Sequence, residues 1–173
     1  MTNRQPTDIK NLDQYGNPPL EWSRVRTLLE AQSESDHPAW LGTVDPDGRP
    51  HATGVGTCWF DGDMYFVSGP GTRKSRNIDG NPAVTIATSL KGMDVVLEGN
   101  ASQVTDPEIL EKIAELYRAE GWPVKVEGTV FNAPYTAPSG GPPPWNLYKL
   151  AAQTVYAVGG QDAPQATRWR FEV

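Results

Sequence analysis

Residues 48–87 read GRPHATGVGTCWFDGDMYFVSGPGTRKSRNIDGNPAVTIA, and this stretch decides the fold. Two runs of strand character, 51–60 and 64–68, flank Asp61-Gly62-Asp63, which predicts a hairpin through an Asp-Gly turn. Gly69-Pro70-Gly71 then opens a short basic turn or helix that ends at Asn81-Pro82, and the β-branched run 83–89 predicts a further strand. On the N-terminal side, the apolar run 39–44 is closed by Asp45-Pro46-Asp47-Gly48, where Pro sets φ and Gly accepts the left-handed region. Three antiparallel strands follow one another. Before them, Trp22, Val25, Leu28 and Leu29 recur at helical spacing, and the pattern stops ahead of His37-Pro38.

Residues 1–19 are polar and carry Pro6, Pro18 and Pro19, so they form an arm that either packs on a partner subunit or stays loosely ordered. Beyond the deciding stretch, 94–104 reads as a strand with Val95, Val96 and Leu97 inward. Asp106-Pro107-Glu108 starts a helix, with an acceptor at the N-cap and Pro in the first turn. That helix should end near Glu120, with Ile109, Ile113, Leu116 and Tyr117 facing the core. Residues 121–145 hold Pro123, Pro134, Pro138 and Pro142-Pro143-Pro144, too many for a helix or a central strand, so they form an ordered excursion or a lid. Residues 147–158 and 166–173 close the chain as a strand pair. The sum, about six or seven antiparallel strands with two helices, predicts one mainly β domain over 20–173, a closed barrel plugged by helices.

Composition narrows the function. A net charge of -6 argues against nucleic acid or an anionic membrane as partner. Without an apolar run near 18 residues, neither a spanning helix nor a secretory signal is expected, which predicts a cytoplasmic protein. Cys58 is the only cysteine and His37 and His51 the only histidines, so no metal site is expected.

Against that acidic background, Arg73, Lys74 and Arg76 stand within four residues, with the hydroxyls of Thr72 and Ser75 among them. Glycines let a backbone approach an anion, amides at a helix start point at it, and the cations neutralise it. The alternative is a solvated basic turn. Asp94 reads as a turn-capping residue after Lys91-Gly92 or as a hydrogen-bond acceptor in a site. Arg168 and Arg170 share one face of a strand, and Thr167, Trp169 and Phe171 the other. Cys58 is a packing residue, with nothing near it in sequence to activate the thiol. His51 belongs on a rim. Trp40, Trp59, Trp122, Trp145 and Tyr135 are core or interface material, with one or two able to cover a planar ring.

The segment quoted above, with DVVLEGNASQVTD at 94–106 and ATRWRF at 166–171, resembles the pyridoxamine-phosphate-oxidase-like family of FMN-binding split barrels. More closely it is similar to the actinobacterial branch of flavin and deazaflavin oxidoreductases. The resemblance implies that Arg73 and Lys74, with Thr72, hold a cofactor phosphate. It further implies that the strand Thr53, Val55, Thr57 lines the ring with backbone groups. Val67, Ser68, Asn77, Asp94 and Arg168 complete the implied cofactor set. Pyridoxamine-oxidising members carry a basic residue where this chain has Thr57 and a Gln near Asp94, so oxidation of pyridoxamine phosphate is disfavoured. What remains implied is hydride transfer between a flavin-type ring and a small conjugated molecule, with the deazaflavin F420 favoured over FMN. No side chain is assigned as a catalytic acid or base. A homodimer sharing the cofactor slot is also implied. The rival reading is a non-catalytic protein that holds a flavin, a deazaflavin or haem.

Overall fold

The computed structural model describes residues 4–32, 39–159 and 164–172; His37 lies outside them. Its elements run β1 (Asp8–Asn11), α1 (Trp22–Glu30), β2 (Ala39–Val44), β3 (Pro50–Val55), β4 (Thr57–Phe60), β5 (Asp63–Ser68) and α2 (Arg73–Gly80). They continue with β6 (Ala83–Leu90), β7 (Met93–Val104), α3 (Pro107–Ala119), β8 (Lys125–Glu127), β9 (Val130–Asn132), β10 (Asn146–Gly159) and β11 (Ala166–Arg170). The expected class holds: the protein is mainly antiparallel β with helices. The strand number is higher than expected, because nine strands share one sheet and β8 and β9 form a separate ribbon.

Around the barrel the neighbours are β3, β2, β6, β7, β10, β5 and β4, and Gly56 joins β3 to β4 to complete the circuit. The hairpin between β4 and β5 turns on Asp61 (φ 49°) and Gly62 (φ 90°), the left-handed pair an Asp-Gly turn requires. Strand β10 is the pivot. One of its edges pairs with β7 throughout; the other pairs with β5 over Asn146–Leu150 and with β11 over Thr154–Val158, after a register shift between Ala152 and Thr154. Strands β5 and β11 therefore part company, and the barrel wall splits there.

Two apolar cores result. The barrel interior holds Leu41, Phe66, Ile86, Val95, Leu97, Val155 and Trp169, closed at one end by Trp22, Val25 and Leu29 of α1. A second core lies outside β5, where Tyr65 and Val67 meet Leu110, Ile113 and Tyr117 of α3 and Phe131 and Trp145 of the proline-rich excursion. Residues 121–145 are thus an ordered cover whose rings are spent on packing: Trp122 meets Tyr135 edge-on at 6.5 Å, and Tyr135 sits 5.7 Å from Trp145.

Three local expectations need revision. Residues Asp8–Asn11 form a strand on β11 of their own chain, as β1. On α3 the buried stripe is Leu110, Ile113, Ala114 and Tyr117, while Leu116 is 38% exposed. Ile109 is half-buried against the second core as expected, and only Leu116 falls outside the stripe, where Trp122 and Phe131 pack on Tyr117 instead. Val96 faces outward between the buried Val95 and Leu97, as strand alternation demands. The start of α3 matches its reading, since Asp106 Oδ1 accepts from the amides of Glu108 (2.8 Å) and Ile109 (3.3 Å). Among the described residues, no helix is long and apolar enough to cross a membrane.

Candidate functional site

The chain leaves β5 through Ser68, which is fully buried, and turns through Gly69-Pro70-Gly71 into α2. The Gly69 amide donates to the Gly140 carbonyl at 2.9 Å. A Cβ on Gly69 would stand 2.5 Å from that oxygen, so the close approach of the two loops requires glycine. Thr72 caps α2, its Oγ1 accepting from the Ser75 amide at 3.3 Å. The hydroxyls of Ser68 and Thr72 lie 2.7 Å apart, and Ser75 Oγ is 2.7 Å from Ser68 Oγ and 2.9 Å from the Gly69 carbonyl. Ser68 and Ser75 of this hydroxyl knot are buried and Thr72 is half-buried. Asn77 Nδ2 donates to Thr43 Oγ1 at 2.9 Å, pinning α2 on β2.

The cations of this corner have different surroundings. Lys74 is 3% exposed and donates to the Ser139 carbonyl, and among the described residues no carboxylate pairs with it. Burial pushes its pKa below the usual lysine value. Arg73 is half exposed and bonds Asp45 Oδ2 at 3.0 Å. The Arg49 amide, with the Arg73 guanidinium, holds the Asp45 carboxyl below the usual carboxylate range. Arg76 reaches back to the Gly71 carbonyl at 2.5 Å. One cation is thus supplied with a counter-ion by the fold and another is buried without one. That buried ammonium belongs to the first turn of α2, whose amides also attract anions, and the two together fit a phosphate.

Thr43, Asp45 and Ser139 are the members of this corner that sequence reasoning missed. Asp45 opens a turn motif, and its link to Arg73 across 28 positions carries no local signal. Ser139 contributes only a carbonyl, which every residue has.

The other expected site residues are spread over the barrel. Thr53 lies opposite Leu41, Val55 opposite Ala39 and Thr57 opposite Phe66, so their side chains turn toward the interior. What β3 offers a ligand is its edge backbone, with open space over Gly54. Val67 packs in the second core. Asp94 is exposed and accepts from the Ser89 hydroxyl at 2.6 Å, its turn-capping reading. Arg168 pairs with Asp8 at 2.6 Å, and its Nε is buried without a hydrogen-bond partner. Along β10, Asn146 stands beside Ser68 and Tyr156 beside Arg168. Ten residues of strand, about 30 Å, separate them, so one chain does not bring Arg168 or Asp94 to the Lys74 corner. Cys58 is half-buried against the second core, His51 is half-buried opposite Thr43, and Trp40 is 54% exposed.

A family model described as Pyridoxamine 5'-phosphate oxidase matches residues 25–159. No curated protein matches the chain. Among solved structures, a pyridoxamine 5'-phosphate oxidase-related, FMN binding protein from Nostoc punctiforme is 17% identical, with a TM-score of 0.55, over 83% of this chain and 87% of that one. An F420 reductase is 21% identical, with a TM-score of 0.51, over 75% of this chain and 94% of that one. A heme binding protein from Mycobacterium smegmatis is 17% identical, with a TM-score of 0.53, over 80% of this chain and 54% of that one. At these identities the likeness is one of fold.

Proposed function

Because this chain belongs to the pyridoxamine 5'-phosphate oxidase family, we propose that it is an oxidoreductase using a flavin-type cofactor, the deazaflavin F420 ahead of FMN, for hydride transfer with a small conjugated substrate. The observation that carries the reading is the buried Lys74 ammonium without a carboxylate. Burying an unpaired cation is costly, and a fold keeps one where a ligand supplies the opposite charge. A phosphate at this corner would meet Lys74 and the amides that open α2, with Arg73 shared between it and Asp45. Bound there, the cofactor supplies the hydride chemistry. The chain's own part is to neutralise the phosphate, present the β3 edge as hydrogen-bonding backbone and keep water from the ring.

A second copy of the chain completes the site in this reading. On the outer face of the sheet, Gly54, Trp40, Ala87, Val96, Tyr156 and Arg168 stand in one register row. Trp40 is 54% exposed and Val158, on the same face, 59%. An exposed apolar stripe across a sheet is a surface for association. Packed on a partner, it would carry Arg168 and Asp94 toward the other subunit's cofactor.

The test is titration of the purified protein with F420, FMN, haem and inorganic phosphate, followed by calorimetry and visible spectra. Saturable F420 uptake, competed by phosphate and followed by turnover with a conjugated acceptor, is the expected result. FMN uptake with turnover would change the cofactor and keep the activity. Tight binding of any of these without turnover would make this a carrier, and no uptake would end the reading. Sizing the Trp40→Asp variant tests the dimer: it should elute as a monomer and hold cofactor about tenfold more weakly, a loss of about 1.4 kcal/mol.

A further inference from the structure

A half-open cavity of about 490 Å³ lies at the split in the barrel wall. Its origin is topological: β10 pairs with β5 only as far as Leu150 and with β11 only from Thr154, and among the described residues no strand bridges β5 and β11. The walls draw on five elements, and four of the lining side chains are aromatic rings. Trp22 projects from α1, Trp59 and Phe60 from β4, Phe171 from the end of β11, Val155 from β10, and Leu116 stands at the rim on α3. Trp22 and Phe171 meet edge-on at 4.9 Å and form one rigid side. The Arg4 guanidinium lies 5.3 Å over the Phe171 ring, and its backbone carbonyl accepts from Trp22 Nε1 at 3.2 Å, so the arm is tied to the cavity's edge.

Two features set what the cavity takes. Its size falls within the range of small-molecule pockets, and its lining is apolar with few polar groups. Its charges balance. Arg4 and Arg26 stand beside Glu30 and Asp61; Arg26 meets Glu30 at 3.6 Å, and Arg4 meets Asp63 at 3.6 Å. Neither an anion nor a cation gains a net field, so shape and apolar burial decide affinity. The cavity is also remote from the phosphate corner. Asp61 and Gly62 precede β5, whereas Ser68 ends it, and six residues of strand span about 20 Å.

We propose that this cavity is a binding site for an uncharged, flat aromatic small molecule, distinct from the cofactor corner. The inference is independent of the redox reading, since it uses none of the residues of that corner.

The experiment is a titration of the full chain with coumarin, a neutral flat probe, watched through the six tryptophan indole N–H signals in a nitrogen–proton correlation spectrum. Saturable shifts of Trp22 and Trp59, with Trp40, Trp122 and Trp145 unmoved, are expected. Leu116→Trp fills the rim from an exposed position and should weaken binding about tenfold while the spectrum stays native-like. Glu30→Trp, from the exposed surface of α1, does the same should the first variant misfold. Phosphate affinity stays at the wild-type value in both. The site is refuted by no shift up to the probe's solubility, by shifts confined to Trp40, Trp122 or Trp145, or by both folded variants binding as wild type. A naphthoate or a naphthylmethylammonium ion binding tenfold more tightly than neutral naphthol would overturn the ligand class.

Discussion

Lys74 and Arg168 each belong to a short basic motif in an acidic chain, and their fates in the fold are opposite. Arg168 lies on a sheet face with Asp8 of β1 at 2.6 Å, a counter-ion delivered by strand pairing. Lys74 is drawn under the 139–141 loop and, among the described residues, meets a carbonyl and no carboxylate. A cation already paired in the folded chain has little to gain from a ligand. One that the fold buries unpaired raises the free energy of the empty protein and returns it when an anion binds. The difference between a surface stripe and a candidate binding corner therefore lies in whether folding supplies the opposite charge.

The largest effect should come from removing the unpaired cation. Lys74→Met is expected to weaken binding of a phosphorylated cofactor by about 1.5–3 kcal/mol, a charge-assisted bond, and to raise the melting temperature of the empty protein. Calorimetric titration and a thermal melt read both. A variant that melts lower and binds equally well would reverse the assignment.

Titration should separate the same cost from its surroundings. The folded pKa of Lys74 lies below its ordinary 10.5, so between the two values the unfolded chain binds more protons and stability climbs with pH. Tyr65 acts oppositely: burial, aided by Asp63, pushes its phenol from 10.0 up to about 12, so the folded chain keeps that proton longer and stability falls across this window. Urea denaturation at a series of pH values should show a rise followed by a fall. Lys74→Met flattens the rise and Tyr65→Phe removes the fall.

Arg73 lies between the two extremes, since Asp45 already holds it. Arg73→Ala should cost cofactor affinity about threefold to tenfold, less than Lys74→Met, and Asp45→Asn should tighten binding about threefold by releasing the guanidinium. Equal losses from Arg73 and Lys74 would mean that the Asp45 pair breaks on binding. The smallest effect on binding is expected of Arg168→Ala: inorganic phosphate affinity within about twofold of wild type, since Asp8 already holds the guanidinium.

Much of the barrel is legible from local chemistry. Asp61-Gly62 demands a left-handed turn, and Asp106-Pro107 writes a helix start, because each depends on residues a few positions apart. Elements defined by remote partners are not. The arm reads as either a partner-packing segment or a tail because only β11, some 160 positions later, shows that Asp8–Asn11 is a strand of its own sheet. Helix α3 carries two adjacent apolar stripes, and only the rings of Trp122 and Phe131 choose between them. The candidate site divides the same way. Thr72 capping a basic helix is a local pattern; the Asp45 counter-ion, the Ser139 carbonyl and the split-wall cavity each require chain segments far apart in sequence.

By itself, the order of residues determined an antiparallel β domain with a hydroxyl-capped basic turn after its central hairpin, since turn φ angles, strand alternation and helix capping act over a few positions. Only the tertiary structure decided which cation is buried, which is neutralised, and where the wall opens. Burial and counter-ion supply depend on where segments 28 to 160 residues apart come to lie, and no local spacing encodes that.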